Sequence, residues 1–153
     1  MFHITVKTLA NLEEVLAAEI RNLGADDVVM GTRAVHCTGD LRMVYKLNFE
    51  LRCALRVLVH VTQFKARKPD DLYRKALAFP WENLFGTEHT FSIDPNVHSA
   101  QYRHPHFAAL KLKDAIADRF VQVSGSRPDV DPSQPDIRFH LHIDEEKVHI
   151  SLD

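Results

Sequence analysis

Between Pro105 and Asp153 the spacing of apolar residues changes from one regular period to another, and each period admits one kind of element. Ala108, Ala109, Leu112, Ala115, Ile116 and Phe120 recur at the 3.6-residue period of a helix with one buried face. Pro105 suits the first helical position, and Gly125 and Pro128 end the helix. Pro132 and Pro135 keep the following connection extended. Ile137, Phe139, Leu141 and Ile143 then alternate with polar residues, and Val148, Ile150 and Leu152 answer them across a turn at Glu145–Glu146. That is the pattern of a β-hairpin.

The first 64 residues show a different succession. Phe2, Ile4 and Val6 alternate as a half-buried strand. Asn11 and Glu14 stand in capping-box positions before a helix with Leu12, Leu16, Ile20 and Leu23 on one stripe, closed by Gly24. Residues 27–30 and 34–38 read as strands joined at Gly31–Arg33. Asp40 caps a second helix with Leu41, Val44, Leu47 and Leu51 on one side, and residues 54–64 form a long β-branched strand. The order β-α-β-β-α-β is that of a ferredoxin-like unit, a fold that hosts many functions and specifies none.

Lys65–Pro69 is basic, polar and ended by proline, so the expected organisation is residues 1–64 followed by residues 65–153, both α+β. In the second part Pro69 opens a helix carrying Leu72, Tyr73, Ala76 and Leu77, with Asp70 and Asp71 at its positive end. Trp81 follows. Residues 89–94 alternate as a strand, and Pro95–Pro105 reads as a long loop.

A chain of 153 residues is long enough for one domain or two small packed subdomains. Its apolar runs are too short for a membrane helix, and its start lacks the basic and apolar regions of a secretory signal. Two cysteines, Cys37 and Cys53, in apolar-leaning segments read as reduced thiols, and these points together favour the cytoplasm. The net charge of −2 conceals a bias. Residues 65–127 carry ten Lys/Arg against seven Asp/Glu, and residues 128–153 carry two against seven, so a local positive surface is compatible with near-neutral bulk charge.

Chemistry-bearing motifs are sparse. His140, His142 and His149 share a hairpin face, but their spacing matches no zinc pattern, and alternation makes them surface or pairing residues. No G-x-G-x-x-G, phosphate-loop or G-x-S-x-G motif occurs. The basic residues offer more. Arg67 and Lys68 lie in the connection, Arg103 and His104 before the long helix, Lys113 and Arg119 on it and Arg127 after it. Lys111 and Lys113 are about 200° apart on a helix and cannot share a face; Lys111 reads as a surface partner of Asp114. Arg103, between Tyr102 and His104 at a helix start, suits phosphate contact combined with base stacking.

Three segments resemble a known family. Tyr45–Phe64 (YKLNFELRCALRVLVHVTQF), Phe107–Asp118 (FAALKLKDAIAD) and the ending SRPDVDPSQPDIRFHLHID…VHISLD are similar, in order, to the ferredoxin-like and THUMP parts of THUMP-bearing RNA methyltransferases. The nearest likeness is to bacterial enzymes that modify guanine N2 of 23S ribosomal RNA. The resemblance implies a THUMP α/β subdomain with a C-terminal β-hairpin after the ferredoxin-like one. It implies structured, ribosomal RNA as partner, no DNA or membrane, and contacts through Arg103, His104, Lys113, Arg119 and Arg127, with Arg67 and Lys68 secondary. It also implies that S-adenosylmethionine and the catalytic motif belong to a C-terminal methyltransferase domain past Asp153, so that this chain is expected to be a fragment with no catalytic residue, cofactor or metal of its own. The alternatives are the THUMP module of a tRNA methyltransferase or thiouridine synthase, a non-catalytic protein-interaction domain, or a metal enzyme built on the hairpin histidines.

Overall fold

The structure, a computed structural model, describes residues 1–153. The chain divides into two compact units, residues 1–60 with Asp153, and residues 61–152.

The first unit contains β1 (Phe2–Lys7), α1 (Glu13–Asn22), β2 (Asp26–Gly31), β3 (Ala34–Gly39), α2 (Leu41–Glu50) and the first half of β4 (Arg56–Lys65). The strands lie in the order β2-β3-β1-β4, all antiparallel, with Ile4 between Cys37 and Val59. This is the ferredoxin-like arrangement. Ile4, Val6, Leu16, Ile20, Val35, Cys37, Leu47 and Val57 form its core. Asp40 caps α2 by accepting from the Met43 N–H at 2.8 Å. A Cβ on Gly39 would lie 2.6 Å from the Met43 side chain, so a glycine there lets α2 close onto the sheet.

Two local expectations fail. Asn11 does not cap α1; its φ of 72° makes it a left-handed turn residue, and the helix starts at Glu13 with no side-chain cap. Glu13 instead accepts from the Arg33 N–H at 2.9 Å. Backbone N–H groups, its own first and then that of Arg33, hold its carboxyl below the ordinary range. The inner face of α2 is centred on Met43 and Leu47, while Leu41 turns outward and is 57% exposed.

The second unit contains α3 (Pro69–Leu77), a 3-10 turn (Trp81–Asn83), β5 (Phe91–His98), α4 (Pro105–Ser124), β6 (Ile137–Asp144) and β7 (Lys147–Leu152). β6 is central, parallel to β5 and antiparallel to β7. Trp81, Phe85, Phe91, Phe120 and Phe139 interlock in its core with Leu72, Leu112, Ile116, Leu141 and Ile150. Pro105 occupies the first turn of α4, and Gly125, at φ 79°, closes it by donating to the Val121 carbonyl at 2.9 Å.

The expected loop after residue 94 is shorter than the sequence suggests, because β5 continues through Pro95, opposite Leu141, to His98. β5 is the outer strand of this unit, so the missing proline N–H costs no ladder bond. The hairpin histidines also differ from expectation. His140 is only 8% exposed, 3.9 Å from the Asp94 carboxylate, because β5 places Asp94 directly beside it. His142 lies 6.0 Å and 6.3 Å, ring to ring, from His98 and His149. No three His, Cys, Asp or Glu residues are arranged to hold a metal.

Candidate nucleic-acid interface

The loop 99–104 connects the end of β5 to the start of α4, and Tyr102 determines where it lies. Its side chain is 3% exposed, and its hydroxyl donates to the carbonyls of Ala66 at 3.0 Å and Lys68 at 3.2 Å. Burial, with Asp71 adding, pushes its phenol up to about 12. Tyr102 is therefore a clasp between two distant segments and is not available for base stacking, contrary to the sequence reading. The residues beside each end of the clasp, Arg67 and Lys68 on one segment and Arg103 and His104 on the other, are all exposed.

The hairpin turn joins the same end of the unit. Ala66 N–H donates to the Glu146 carbonyl at 2.8 Å, and Glu145 N–H donates to that of His98 at 2.9 Å. Lys75 Nζ donates to the Lys65 carbonyl. Lys65 and Lys147 line a cavity of about 420 Å³ with Gln63, Phe64, Val148 and His149. Lys147 was not singled out from the sequence, since its approach to Lys65 depends on strand register across some eighty residues.

Nearby carboxylates are largely committed. Asp70 pairs with Lys111 at 3.4 Å, Asp71 with Arg74 at 3.1 Å and Glu146 with Arg67 at 3.0 Å. Lys68 and Arg103 form no ion pair. Arg67 is mostly exposed despite its partner, and an exposed pair of this kind contributes little and is readily exchanged for a phosphate.

The remaining candidates lie elsewhere. Arg119 grips Glu82 through two hydrogen bonds, Nε at 3.0 Å and a terminal nitrogen at 2.5 Å, and both side chains are largely buried. The hydrogen bond lowers the Glu82 carboxyl and raises the Arg119 guanidinium, so this arginine fastens the 3-10 turn to α4 and its charge is neutralised. Lys113 pairs with Asp114 at 3.0 Å and lines a separate cavity of about 260 Å³ with His106, Ser92 and Leu110. Lys111, expected to meet Asp114, reaches Asp70 on α3 instead and stands 5.7 Å from the Phe107 ring. Arg127 follows the far end of the 20-residue α4, roughly 30 Å from Arg103 at 1.5 Å per residue. Four of the seven candidates thus flank the Tyr102 clasp in the chain, and Lys113, Arg119 and Arg127 do not.

Two predictions arise here. Tyr102→Phe should lower the stability of the chain by about 1–2 kcal/mol, because the buried Ala66 carbonyl loses the hydroxyl while the Lys68 carbonyl keeps the Asp71 and Leu72 N–H groups, and thermal melting would measure it. Acidification should also destabilise the fold. Burial, with Lys7, lowers His36, and burial, with Lys147, lowers His149 against the opposing pull of Asp144. The unfolded chain then binds protons that the folded chain refuses, so this stability is complete above the ordinary histidine value of 6.5 and declines as pH falls through it. Melting temperatures at pH 7.5 and 5.5 should show the decline, and His36→Gln with His149→Gln should flatten it.

Comparison with known proteins agrees with this architecture. Residues 3–58 match the RlmL ferredoxin-like domain and residues 66–153 the THUMP domain. Neither matched module is a catalytic one. The chain is 38% identical over 142 residues to the ribosomal RNA large subunit methyltransferase K/L of Syntrophotalea carbinolica and 39% identical over 142 residues to that of Aeromonas hydrophila. Each alignment covers 93% of this chain and 20% of the relative, so the chain spans about a fifth of the length of these proteins. Among solved structures, SMU.472, a putative methyltransferase complexed with SAH, superposes with a TM-score of 0.86 at 23% identity, over 99% of this chain and 41% of that one. TrmN from Thermus thermophilus gives 0.73 at 18%, over 99% and 45%. With its second unit matched throughout residues 66–153 and a ferredoxin-like unit ahead of it, the chain belongs to the THUMP domain family.

Proposed function

We propose that this chain is the RNA-gripping module of an S-adenosylmethionine-dependent methyltransferase that modifies guanine N2 in large-subunit ribosomal RNA. The relatives it matches at 38–39% identity carry the name ribosomal RNA large subunit methyltransferase K/L. The observation that carries the reading is the basic segments joined by Tyr102: Lys68, whose carbonyl accepts from the Tyr102 hydroxyl, and Arg103, the residue after Tyr102, both stand exposed and without an ion pair. Lys68, Arg103 and His104 would meet the phosphate backbone, with Arg67 and Lys147 at the margin. Contacts of this type position a structured RNA and leave base recognition to other groups. Arg119 serves the fold in this reading, and Arg127 and Lys113 would touch RNA only through an extended footprint.

The cofactor does not fit these residues. One unit has a wholly antiparallel sheet and the other a single parallel pair, so neither is a doubly wound parallel sheet, and S-adenosylmethionine would belong to a separate catalytic domain. A cytoplasmic site of action is supported by two free thiols, Cys37 and Cys53; burial pushes Cys37 up to about 11, which leaves it inert. No helix is long and apolar enough to cross a membrane. Titration of the 153-residue chain against a labelled ribosomal RNA hairpin at two salt concentrations tests the proposal. Binding that weakens steeply with salt supports it, and no binding at low salt overturns it.

A further inference from the structure

The outer face of α2 in the ferredoxin-like unit has a composition that its own fold does not require. Leu41, Tyr45 and Phe49 recur every four positions and form one ridge, with Tyr45 60% and Phe49 84% exposed. Arg42 and Lys46 recur one residue further on and flank that ridge, and neither forms an ion pair. The helix buries Met43 and Leu47 on its other side, so core packing does not account for the two rings. Its only carboxylate is Glu50, in the last position.

We propose that this face of α2 is a stacking platform for unpaired nucleotides, a second RNA contact besides the cluster around Tyr102. It rests on the RNA-binding reading above and extends it to single-stranded RNA. A ligand for this face must offer flat apolar surfaces to two rings and negative charge to two flanking cations. Unpaired bases on a phosphate chain do both, and stacking of this kind tolerates any sequence. Tyr45 and Phe49 have Cβ atoms about 6 Å apart, so neighbouring bases of one strand can each meet a ring. A second copy of the chain is a poorer occupant. Two-fold self-association would set two rows of net positive charge against each other, because Arg42 and Lys46 outnumber Glu50, the one carboxylate that continues the row.

The test uses two labelled probes: a blunt RNA hairpin, and the same hairpin with an unstructured oligouridine tail of about six nucleotides. Wild-type chain should bind the tailed probe about tenfold more tightly than the blunt one, and Tyr45→Ala with Phe49→Ala should remove that gain while leaving blunt-hairpin binding unchanged. Tyr45→Leu with Phe49→Leu, which keeps apolar area and discards the rings, should remove it as well. All four substitutions are at exposed positions, and circular dichroism would verify that each variant folds. A tail that adds nothing, or a gain that survives the double substitution, overturns the platform while the RNA reading stands. Failure of both probes to bind wild type overturns both. Unchanged RNA binding combined with a loss of self-association in sedimentation overturns the platform in favour of a protein interface.

Discussion

Trp81→Ala is expected to destabilise the second unit by about 3–5 kcal/mol, the range for removing a large aromatic side chain from a packed core. Trp81 is fully buried, packed edge-on to Phe139 at 5.4 Å and tilted against Phe79 at 4.6 Å. Its Nε1 donates to the Ala76 carbonyl at 2.7 Å, which ties the 3-10 turn to the end of α3. The alanine variant loses the ring contacts, opens a void among Phe79, Phe139 and their neighbours, and leaves that carbonyl with only the Phe79 N–H at 3.2 Å. Urea denaturation followed by far-ultraviolet circular dichroism measures the effect, since the variant has no tryptophan to report by fluorescence. Trp81→Phe should retain a good part of the packing and fall between the two. A loss below about 1 kcal/mol for the alanine variant would contradict this account of the core.

The second large effect is expected on RNA binding. Lys68→Ala combined with Arg103→Ala should weaken binding about tenfold or more at low salt and reduce the slope of log affinity against log salt by about 1.4–1.8, since each lost phosphate contact removes roughly 0.7–0.9. Neither side chain is buried or paired, so stability should change by less than about 0.5 kcal/mol, which separates loss of binding from loss of fold. Arg119→Ala should show the opposite profile, with lowered melting temperature and an unchanged salt slope, because its charge is already satisfied by Glu82. An unchanged slope in the Lys68 and Arg103 variant would remove the cluster from the interface.

How far the site was legible from sequence differs from residue to residue. Arg103 and His104 enter the proposed contact from the sequence because a proline at the first turn of α4 marks a helix start with a basic loop before it. Arg119 looked equally suitable, as a basic residue on an exposed-seeming helix position. Its partner Glu82 is 37 positions earlier and meets it only once the 3-10 turn has docked on α4. Tyr102 reads as a stacking ring in the sequence because a loop aromatic beside arginine has that composition. Its hydroxyl is consumed by two carbonyls more than thirty residues away. Lys147 gave no local signal at all.

The elements themselves follow from local rules. Periods of 2 and 3.6 place the strands and helices; Pro69, Pro105 and Gly125 punctuate them; and the succession β-α-β-β-α-β admits few arrangements beyond the one observed. These are short-range effects of backbone sterics and apolar patterning, so they can be read along the chain. Which cations remain free is a different matter, because it depends on where each carboxylate lies in space. Asp70 claims Lys111, Glu82 claims Arg119 and Tyr102 draws Lys68 toward Arg103 through contacts 34 to 41 residues apart. Coulomb and hydrogen-bond energies act over a few ångströms whatever the sequence separation, and only the packed fold brings those ångströms about.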